Sequence, residues 1–199
     1  IAYYDGVDYR EQYSRYVQLK IKAFPHLLYK AKDLVFEEHD TYVSSDDAKA
    51  VTQALMKRKI RIGVVSSFFS SQSSIWGNFG HIVRGLQRDE RYEVDMVYYP
   101  RDPIEEADRQ LSLRQGRNIY LRKMVQEGIL QDNLALIERR RFDVLLYLDA
   151  FMTSEMHDLA MAKLAPVQMI THGHPVTSGI PQSIMDYFYN IILRWIISM

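Results

Sequence analysis

The sequence predicts an α/β fold, a parallel sheet with helices on both faces, preceded by a short helical segment. Three observations predict it. From Ile60 onwards, short β-branched runs alternate with segments of helical length. Residues 142–148 are almost wholly apolar, as expected of a strand buried on both faces. Before Ile60, apolar residues recur at spacings of three and four, which is typical of an amphipathic helix.

The lead-in over residues 1–57 is expected to be helical. Its first helical stretch covers 8–36, and Pro25 should divide that stretch into two helices because proline lacks the backbone N–H. A further helix should begin at the N-cap Ser45 and run to about Met56. The basic triplet 57–59 then reads either as a solvated helix end or as a nucleic-acid patch.

The following region alternates between strand and helix signals. The first strand covers 60–66 and leads through a serine-rich loop into a helix over 75–86. Further strands are predicted over 92–99, 118–121, 142–148, 166–171 and 185–188, and further helices over 103–115, 125–139 and 153–164.

Composition excludes several classes of protein. The chain has 199 residues and no cysteine, so it holds no disulfide, thiolate metal site or cysteine nucleophile. Its 25 basic and 25 acidic residues balance, which disfavours a basic nucleic-acid-binding protein. No apolar run approaches the roughly 18 residues of a membrane span. We therefore expect no nucleic-acid or membrane partner. The lack of cysteine does not fix the compartment, but nothing points to secretion, and we predict a cytoplasmic or nucleocytoplasmic location.

Charge is sparse near the carboxyl end. Residues 141–199 carry only eight charged side chains. Because charged side chains rarely lie inside a protein unless they are paired, we expect this region to be deeply buried or to meet a partner surface.

Ligands of open parallel sheets bind outside the carboxyl ends of the strands, and three segments fall there. The loop 66–74 opens a helix, where free N–H groups favour an anion, but its serines could equally be caps and turn formers. It contains neither a dinucleotide fingerprint nor a P-loop. Asp149 follows the strand 142–148 and could serve acid–base chemistry or simply cap the next turn.

The third segment, 171–179, is the most informative stretch of the chain. It combines two histidines, two glycines, a proline and three hydroxyl side chains in nine residues. Glycine allows close approach of the backbone to a ligand, and histidine can donate to phosphate or exchange a proton near neutral pH. His172 and His174 have metal-ligand spacing but no clear third ligand. Hydrogen bonding to a ligand is the better functional reading, and a structural loop is the alternative.

Several motifs resemble those of one enzyme family. They are Leu-Ala-Pro-Val-Gln at 164–168, Gly-His-Pro-Val-Thr-Ser-Gly at 173–179 and Met-Asp-Tyr at 185–187. The segments 60–67 and 142–145 resemble strands of the same family. That family is the protein O-linked N-acetylglucosamine transferases (glycosyltransferase family 41), which includes SPINDLY-like fucosyltransferases and bacterial tetratricopeptide-containing relatives. The version here is most similar to the bacterial type.

The resemblance implies a domain scheme and a chemistry. Residues 1–57 would be a lead-in from a tetratricopeptide region, 58–190 the N-terminal Rossmann-like domain of a GT-B glycosyltransferase, and 191–199 a divergent or truncated tail. A second Rossmann-like domain would follow residue 188, and repeats would precede Ile1. The family is inverting and metal-independent, so no metal and no cofactor are expected. The donor would be a nucleotide sugar, expected to be UDP-linked, and the acceptors would be proteins.

The resemblance also implies site residues. Gly173, His174, Pro175 and Thr177 would face the donor sugar. Gln72 stands where the family has a catalytic histidine, and glutamine cannot take a proton at neutral pH. The implied function is a fragment of a protein O-glycosyltransferase that moves a GlcNAc-like sugar to serine or threonine, inactive as an isolated chain. The alternative is a non-catalytic family member that acts as a protein-binding module.

Overall fold

The computed structural model describes residues 9–32, 58–69, 72–99, 118–122, 128–150, 152–171, 179–180 and 186–187. The helices are α1 (Arg10–Ala23), a 3₁₀ helix (Pro25–Leu28), α2 (Ser74–Arg88), α3 (Ile129–Glu138) and α4 (Ser154–Ala160). The strands are β1 (Ile60–Ser66), β2 (Tyr92–Tyr98), β3 (Asn118–Tyr120), β4 (Val144–Tyr147), β5 (Val167–Ile170) and β6 (Asp186–Tyr187).

The six strands form one parallel sheet in the order β3-β2-β1-β4-β5-β6. The chain moves outward from β1 through β2 to β3, returns to β4, and then moves outward on the other side. This is the strand order of a Rossmann-like sheet, whose connections reverse direction between the two central strands. The predicted fold class is therefore confirmed.

Helices cover both faces of the sheet. α2 packs on one face against Val64, Met96 and Leu146, whereas α1, α3 and α4 pack on the other face, where Val65 and Leu145 point. The alternation of neighbouring strand residues between the two cores follows from the two-residue period of a β-strand. Right-handed crossovers that run in opposite directions from the centre place their helices on opposite faces, as observed for α2 and α4.

The described part of the lead-in is built into the second of these cores. Val17 of α1 and Leu27 of the 3₁₀ helix are buried in the same cluster as Leu145 and Ile170 of the sheet. α1 ends at Ala23, and Pro25 opens the 3₁₀ helix, so the predicted break at this proline is confirmed.

Hydrogen bonds join residues 29–32 of the lead-in to α3 and to the segment before β5. Tyr29 donates its hydroxyl to Glu138 at 2.6 Å, and the Lys32 N–H donates to the same carboxylate at 2.8 Å. The bond from Tyr29 holds the pKa of Glu138 below its usual value. Ala31 and Lys163 are joined through the backbone, with the Ala31 N–H donating to the Lys163 carbonyl at 3.0 Å.

The strands lie where the sequence predicts them, but one helix is shorter. The helix predicted over 153–164 ends at Ala160, so that boundary was wrong. The reason is Gln168, whose buried amide lies against the segment that follows the helix. Its Oε1 accepts from the Leu164 and Ala165 N–H groups at 2.7 and 3.3 Å, and its Nε2 donates to the Ala162 carbonyl at 2.9 Å. These bonds hold 162–165 in a turn instead of a further helical turn.

The helix predicted over 125–139 is shorter in the structure. α3 begins at Ile129, and Gly128 has a φ of 88°, which is not a helical value, so the prediction of one helix through residue 128 was wrong. Residues 123–127 lie outside the described part, as do the helices predicted over 45–56 and 103–115.

One residue of the basic triplet, Arg58, has a contact that neither interpretation of the triplet included. Arg58 makes a two-pronged ion pair with Asp143, at 2.7 and 2.6 Å, at the amino ends of β1 and β4. Asp143 also accepts from the Arg61 N–H at 2.8 Å. Burial opposes ionisation of Asp143, but the Arg58 guanidinium and the Arg61 N–H hold its pKa below the usual value. Arg58 therefore links the amino ends of β1 and β4 through its ion pair with Asp143.

The hydroxyl of Tyr147 gives the first prediction. Tyr147 is fully buried in β4, its hydroxyl has no hydrogen-bond partner among the described residues, and burial raises the pKa of its phenol. Because a buried, unbonded hydroxyl costs free energy, Tyr147→Phe should leave the free energy of unfolding unchanged or raise it by up to about 1 kcal/mol. Urea denaturation measures this directly.

Tyr29→Phe is the matched control for Tyr147→Phe. It deletes a hydroxyl that donates to a carboxylate, so it should lower the free energy of unfolding by about 1–2 kcal/mol. A loss of that size from Tyr147→Phe instead would show that the Tyr147 hydroxyl is bonded in solution.

Candidate functional site

The order of the strands predicts a crevice at the carboxyl edge of the sheet, between β1 and β4. These strands are hydrogen-bonded neighbours, with Val65 beside Tyr147. The chain leaves β1 towards β2 and leaves β4 towards β5, so the two exits diverge. Ligands of Rossmann-like sheets bind in the gap that such diverging loops leave open.

One hydrogen bond joins the two diverging exits. The Ser67 N–H donates to Asp149 Oδ2 at 3.0 Å, and the two residues are only 5% and 1% exposed. This contact is not the predicted cap of the next helix, since Thr153 is the N-cap of α4; the Asp149 carboxylate instead accepts from the exit of the neighbouring strand. The Ser67 hydroxyl has no hydrogen-bond partner within the described ranges. The hydrogen bond to the Ser67 N–H thus holds the base of the crevice, and the same residue carries a buried hydroxyl.

The serines of the loop after β1 act largely as turn formers and caps. Ser66 Oγ accepts from the Phe68 N–H at 2.9 Å, and Ser73 caps α2 by accepting from the Ile75 N–H at 3.2 Å. The interpretation of these two residues as caps and turn formers is therefore confirmed. Ser70 and Ser71 lie outside the described residues.

Gln72 occupies an exposed turn immediately before the cap of α2. It therefore lies on the carboxyl side of the sheet, where β1 leads into α2. His81 lies within α2 and is exposed, about 10 Å along the axis from the helix start at 1.5 Å per residue. It stands too far along the helix to take the place of a histidine at position 72.

The loop after β5 starts from a firmly held residue. Thr171 is buried, its N–H donates to the Tyr147 carbonyl at 3.0 Å, and its hydroxyl donates to the Leu148 carbonyl at 2.8 Å. The next seven residues, 172–178, lie outside the described part of the chain. The predicted donor-binding residues Gly173, His174, Pro175 and Thr177 are among them, so their role stays a prediction.

A row of aromatic rings follows the carboxyl ends of β1, β2 and β3. Phe69 stands edge-on to Trp76 at 5.7 Å between ring centroids and lies 6.1 Å from Tyr98, which in turn lies 6.1 Å from Tyr120. Tyr120 is 45% exposed at the outer end of the row. Phe69, Trp76 and Tyr98 belong to the apolar core on the α2 face, so the row extends that core to the carboxyl ends of the strands. Sequence reasoning did not single it out, although the tyrosines that end β2 and β3 were a visible signal.

The described residues contain neither a helix that could cross a membrane nor a cluster of metal-binding side chains. No helix among them combines the length and the apolar character needed to cross a membrane. They also contain no group of three or more histidine, aspartate or glutamate side chains placed to hold a metal ion. The predicted independence from metals stays a prediction.

Comparison with known proteins adds little. No protein-family model matches the chain, and no curated protein matches it. Among solved structures, a mutant of the Thermobaculum terrenum O-GlcNAc transferase is similar, with 24% sequence identity and a TM-score of 0.45. The match covers 62% of this chain and 22% of that one, so the chain spans well under a third of that protein. A likeness of this size assigns neither family nor activity.

The bond between Ser67 and Asp149 gives the second prediction. Asp149→Ala should lower the free energy of unfolding by about 1–3 kcal/mol, because it leaves the buried Ser67 N–H without its acceptor. Asp149→Asn keeps an acceptor oxygen and should lose less. Urea denaturation of both variants is the measurement.

Asp132→Ala provides the control. Asp132 pairs with Arg122 on the surface, where ion pairs contribute about 0–1 kcal/mol. If Asp149→Ala were no more destabilising than Asp132→Ala, the bond would not hold the two exits together.

Proposed function

We propose that the chain is part of a protein O-glycosyltransferase that moves a GlcNAc-like sugar from a nucleotide sugar, expected to be UDP-linked, to serine or threonine hydroxyls of proteins. One observation carries the proposal. The segments that resemble the family, 60–67, 142–145, 164–168 and 185–187, are far apart in sequence but fall on or directly before β1, β4, β5 and β6. These four strands are consecutive neighbours in the sheet.

The sheet order also supports the proposed donor loop. β5 lies two strands from β1, and Thr171, which follows β5, lies at the carboxyl edge, where Rossmann-like sheets bind ligands. The motif at 173–179 comes shortly after Thr171 in the sequence. A donor held there would lie beside the crevice between β1 and β4. The Asp149–Ser67 bond would keep the adjoining loops from shifting, which is the kind of preorganisation that transfer reactions need.

The proposed reaction is a single displacement at the anomeric carbon. The acceptor oxygen forms a bond to that carbon, the bond from carbon to the diphosphate oxygen breaks, and the proton of the acceptor hydroxyl passes to the leaving diphosphate. The leaving diphosphate would be stabilised by hydrogen bonds and helix N-termini, without a metal. Gln72 can hydrogen-bond a sugar or phosphate but cannot accept the proton, so its part would be to position and not to act as a base.

Other features of the proposal concern partners and place. Protein acceptors and a second, carboxyl-terminal Rossmann-like domain would complete the active protein, since most nucleotide contacts in the family come from that domain. We propose no nucleic-acid or membrane partner, no cofactor and a cytoplasmic or nucleocytoplasmic location.

A second candidate function is a non-catalytic, protein-binding family member. The identity of Gln72 favours it, because a side chain that cannot exchange a proton stands at the position where the family has histidine. The two candidates differ in whether the full-length natural protein turns over a nucleotide sugar.

The third prediction tests the proposed donor loop. In the full-length natural protein, His174→Ala should lower kcat/KM for sugar transfer roughly a hundredfold, because it removes a hydrogen-bond donor from the reacting sugar nucleotide. His81→Ala is the control, because His81 is exposed within α2 and should leave transfer unchanged. The assay is UDP release from UDP-GlcNAc that depends on a peptide acceptor.

Three results would count against this function. Equal rates for His174→Ala and the natural protein would exclude the loop assignment. A full-length protein that binds peptide but releases no UDP would favour the non-catalytic alternative. Activity in Gln72→His but not in the natural protein would favour it further, and would identify Gln72 as the cause.

A further inference from the structure

The amino edge of the sheet, where β1, β2 and β4 begin, collects basic residues from three segments that are far apart in sequence. These segments are 58–61, 88–91 and 139–143, and they hold three, two and three basic residues. Backbone hydrogen bonds join them: the Ile60 N–H donates to the Arg91 carbonyl, and the Asp143 N–H donates to the Arg61 carbonyl, both at 2.9 Å. Since neighbouring strands lie about 4.8 Å apart, the three strand starts span only about 10 Å.

Most of the positive charge of these segments faces solvent, whereas most of their negative charge does not. Arg140 is the only one of their basic residues that is not exposed, and Glu90 is the only acidic residue that is. Their other two carboxylates are partly buried and already paired, Asp143 with Arg58 and Asp89 with Arg91, each at 2.6 Å. A partner that approaches this edge therefore meets a positive surface, although the chain as a whole has no net charge.

Several of the exposed cations are available to a partner. The side chains of Lys59, Arg88 and Arg139 form no ion pair with any described residue. Arg61 reaches Glu93 only at 3.8 Å, and both side chains are nearly half exposed, so this pair contributes little and can be exchanged. Arg88 ends α2 and Arg139 follows α3, so helices on opposite faces of the sheet bring cations to the same edge.

The backbone at Arg141 adds an independent observation. Arg141 lies in the turn between α3 and β4 with a φ of +50°, and it is the only non-glycine residue with a positive φ in the described part of the chain. Glycine or asparagine normally takes such a position after a helix, because other side chains are strained there. The chain thus carries an exposed cation at a position where the local backbone favours glycine.

We propose that the amino edge is a docking surface for an acidic segment of another protein, which it binds through aspartate and glutamate side chains. The edge itself contains the required pairing, since Arg58 holds the Asp143 carboxylate with two hydrogen bonds, at 2.7 and 2.6 Å. A planar guanidinium matches a carboxylate in this two-pronged way. The inference goes beyond the proposed sugar transfer, because this edge lies opposite the carboxyl edge and a bound protein would leave that side open.

The distribution of charge favours a protein over a nucleic acid or a membrane. A phosphate backbone or an anionic lipid surface presents closely spaced negative charges, and these would also meet Glu90 and Glu93, which lie among the cations. Separate carboxylates on a flexible segment can pair with individual cations and avoid those two side chains. An acidic protein segment is therefore the partner that best complements this surface.

The test is the binding of a short fluorescent peptide of alternating glutamate and glycine to the full-length natural protein, followed by fluorescence anisotropy. The same peptide with glutamine in place of glutamate is the uncharged control. The triple variant Lys59→Gln, Arg88→Gln and Arg139→Gln removes the three cations without an ion pair. It should weaken binding of the glutamate peptide roughly tenfold at low salt, and added salt should weaken binding to the natural protein.

A second triple variant is the matched control. Arg15→Gln, Lys22→Gln and Arg122→Gln removes the same charge from exposed side chains on α1 and directly after β3. It should change the affinity for the glutamate peptide by less than about twofold, because a surface charge far from the edge is screened by salt. All six substitutions lie on the surface, and a thermal melt of each variant confirms that it is folded.

The outcomes decide both the surface and its occupant. No preference for the glutamate peptide over the glutamine peptide, or an equal loss in the two triple variants, would overturn the docking surface. Tighter binding of an oligothymidine strand or of phosphatidylserine vesicles than of the peptide, lost in the first variant only, would overturn the choice of a protein partner. The titration uses no nucleotide sugar, so its result stands whether or not the natural protein transfers a sugar.

Discussion

The hydrogen bond from the Ser67 N–H to the Asp149 carboxylate joins the exits of the two central strands, β1 and β4. The geometry of the carboxyl edge depends on this bond. Chain connections reverse direction between β1 and β4, so the loops after these strands separate and leave a crevice. A backbone N–H at the floor of such a crevice would be costly if it were buried without an acceptor. Asp149 supplies that acceptor from the end of the neighbouring strand, so the two exits are joined where they begin to diverge.

Two further side-chain contacts hold the sheet and its connections, one between distant residues and one within a short segment. Arg58 and Asp143 join the amino ends of β1 and β4, on the side opposite the crevice. Gln168, which belongs to one of the family-like motifs, uses its side chain to hold the turn before β5 and not to contact a ligand. A motif residue can thus act structurally and still matter for the site, because the turn it holds leads into the strand from which the proposed donor loop departs.

The sequence predicted the fold class and most strands because their signals are local. β1 is rich in isoleucine and valine, and β4 is an unbroken run of valine, leucine and tyrosine; such runs identify buried parallel strands without knowledge of their neighbours. The end of α4 was missed because it depends on the side chain of Gln168. The sequence predicts that Gln168 lies in a strand, but it does not show that its side chain bonds the segment after α4. The pairing of Arg58 with Asp143 was missed because 85 residues separate them.

The candidate site was less predictable than the fold. Asp149 was singled out from its position at a strand end, but its partner Ser67 is fixed only by the sheet order. Gly173, His174, Pro175 and Thr177 came from resemblance alone, and their geometry lies outside the described residues.

The central claim is that a nucleotide sugar binds at the carboxyl edge of this sheet, beside the crevice between β1 and β4. Differential hydrogen exchange of the full-length natural protein, with and without UDP-GlcNAc, tests it most directly. The account predicts slower exchange in the segments after β1, β4 and β5, and no change at the amino edge around Arg58 and Asp143. Protection confined to the amino edge, or none anywhere in residues 58–180, would contradict it.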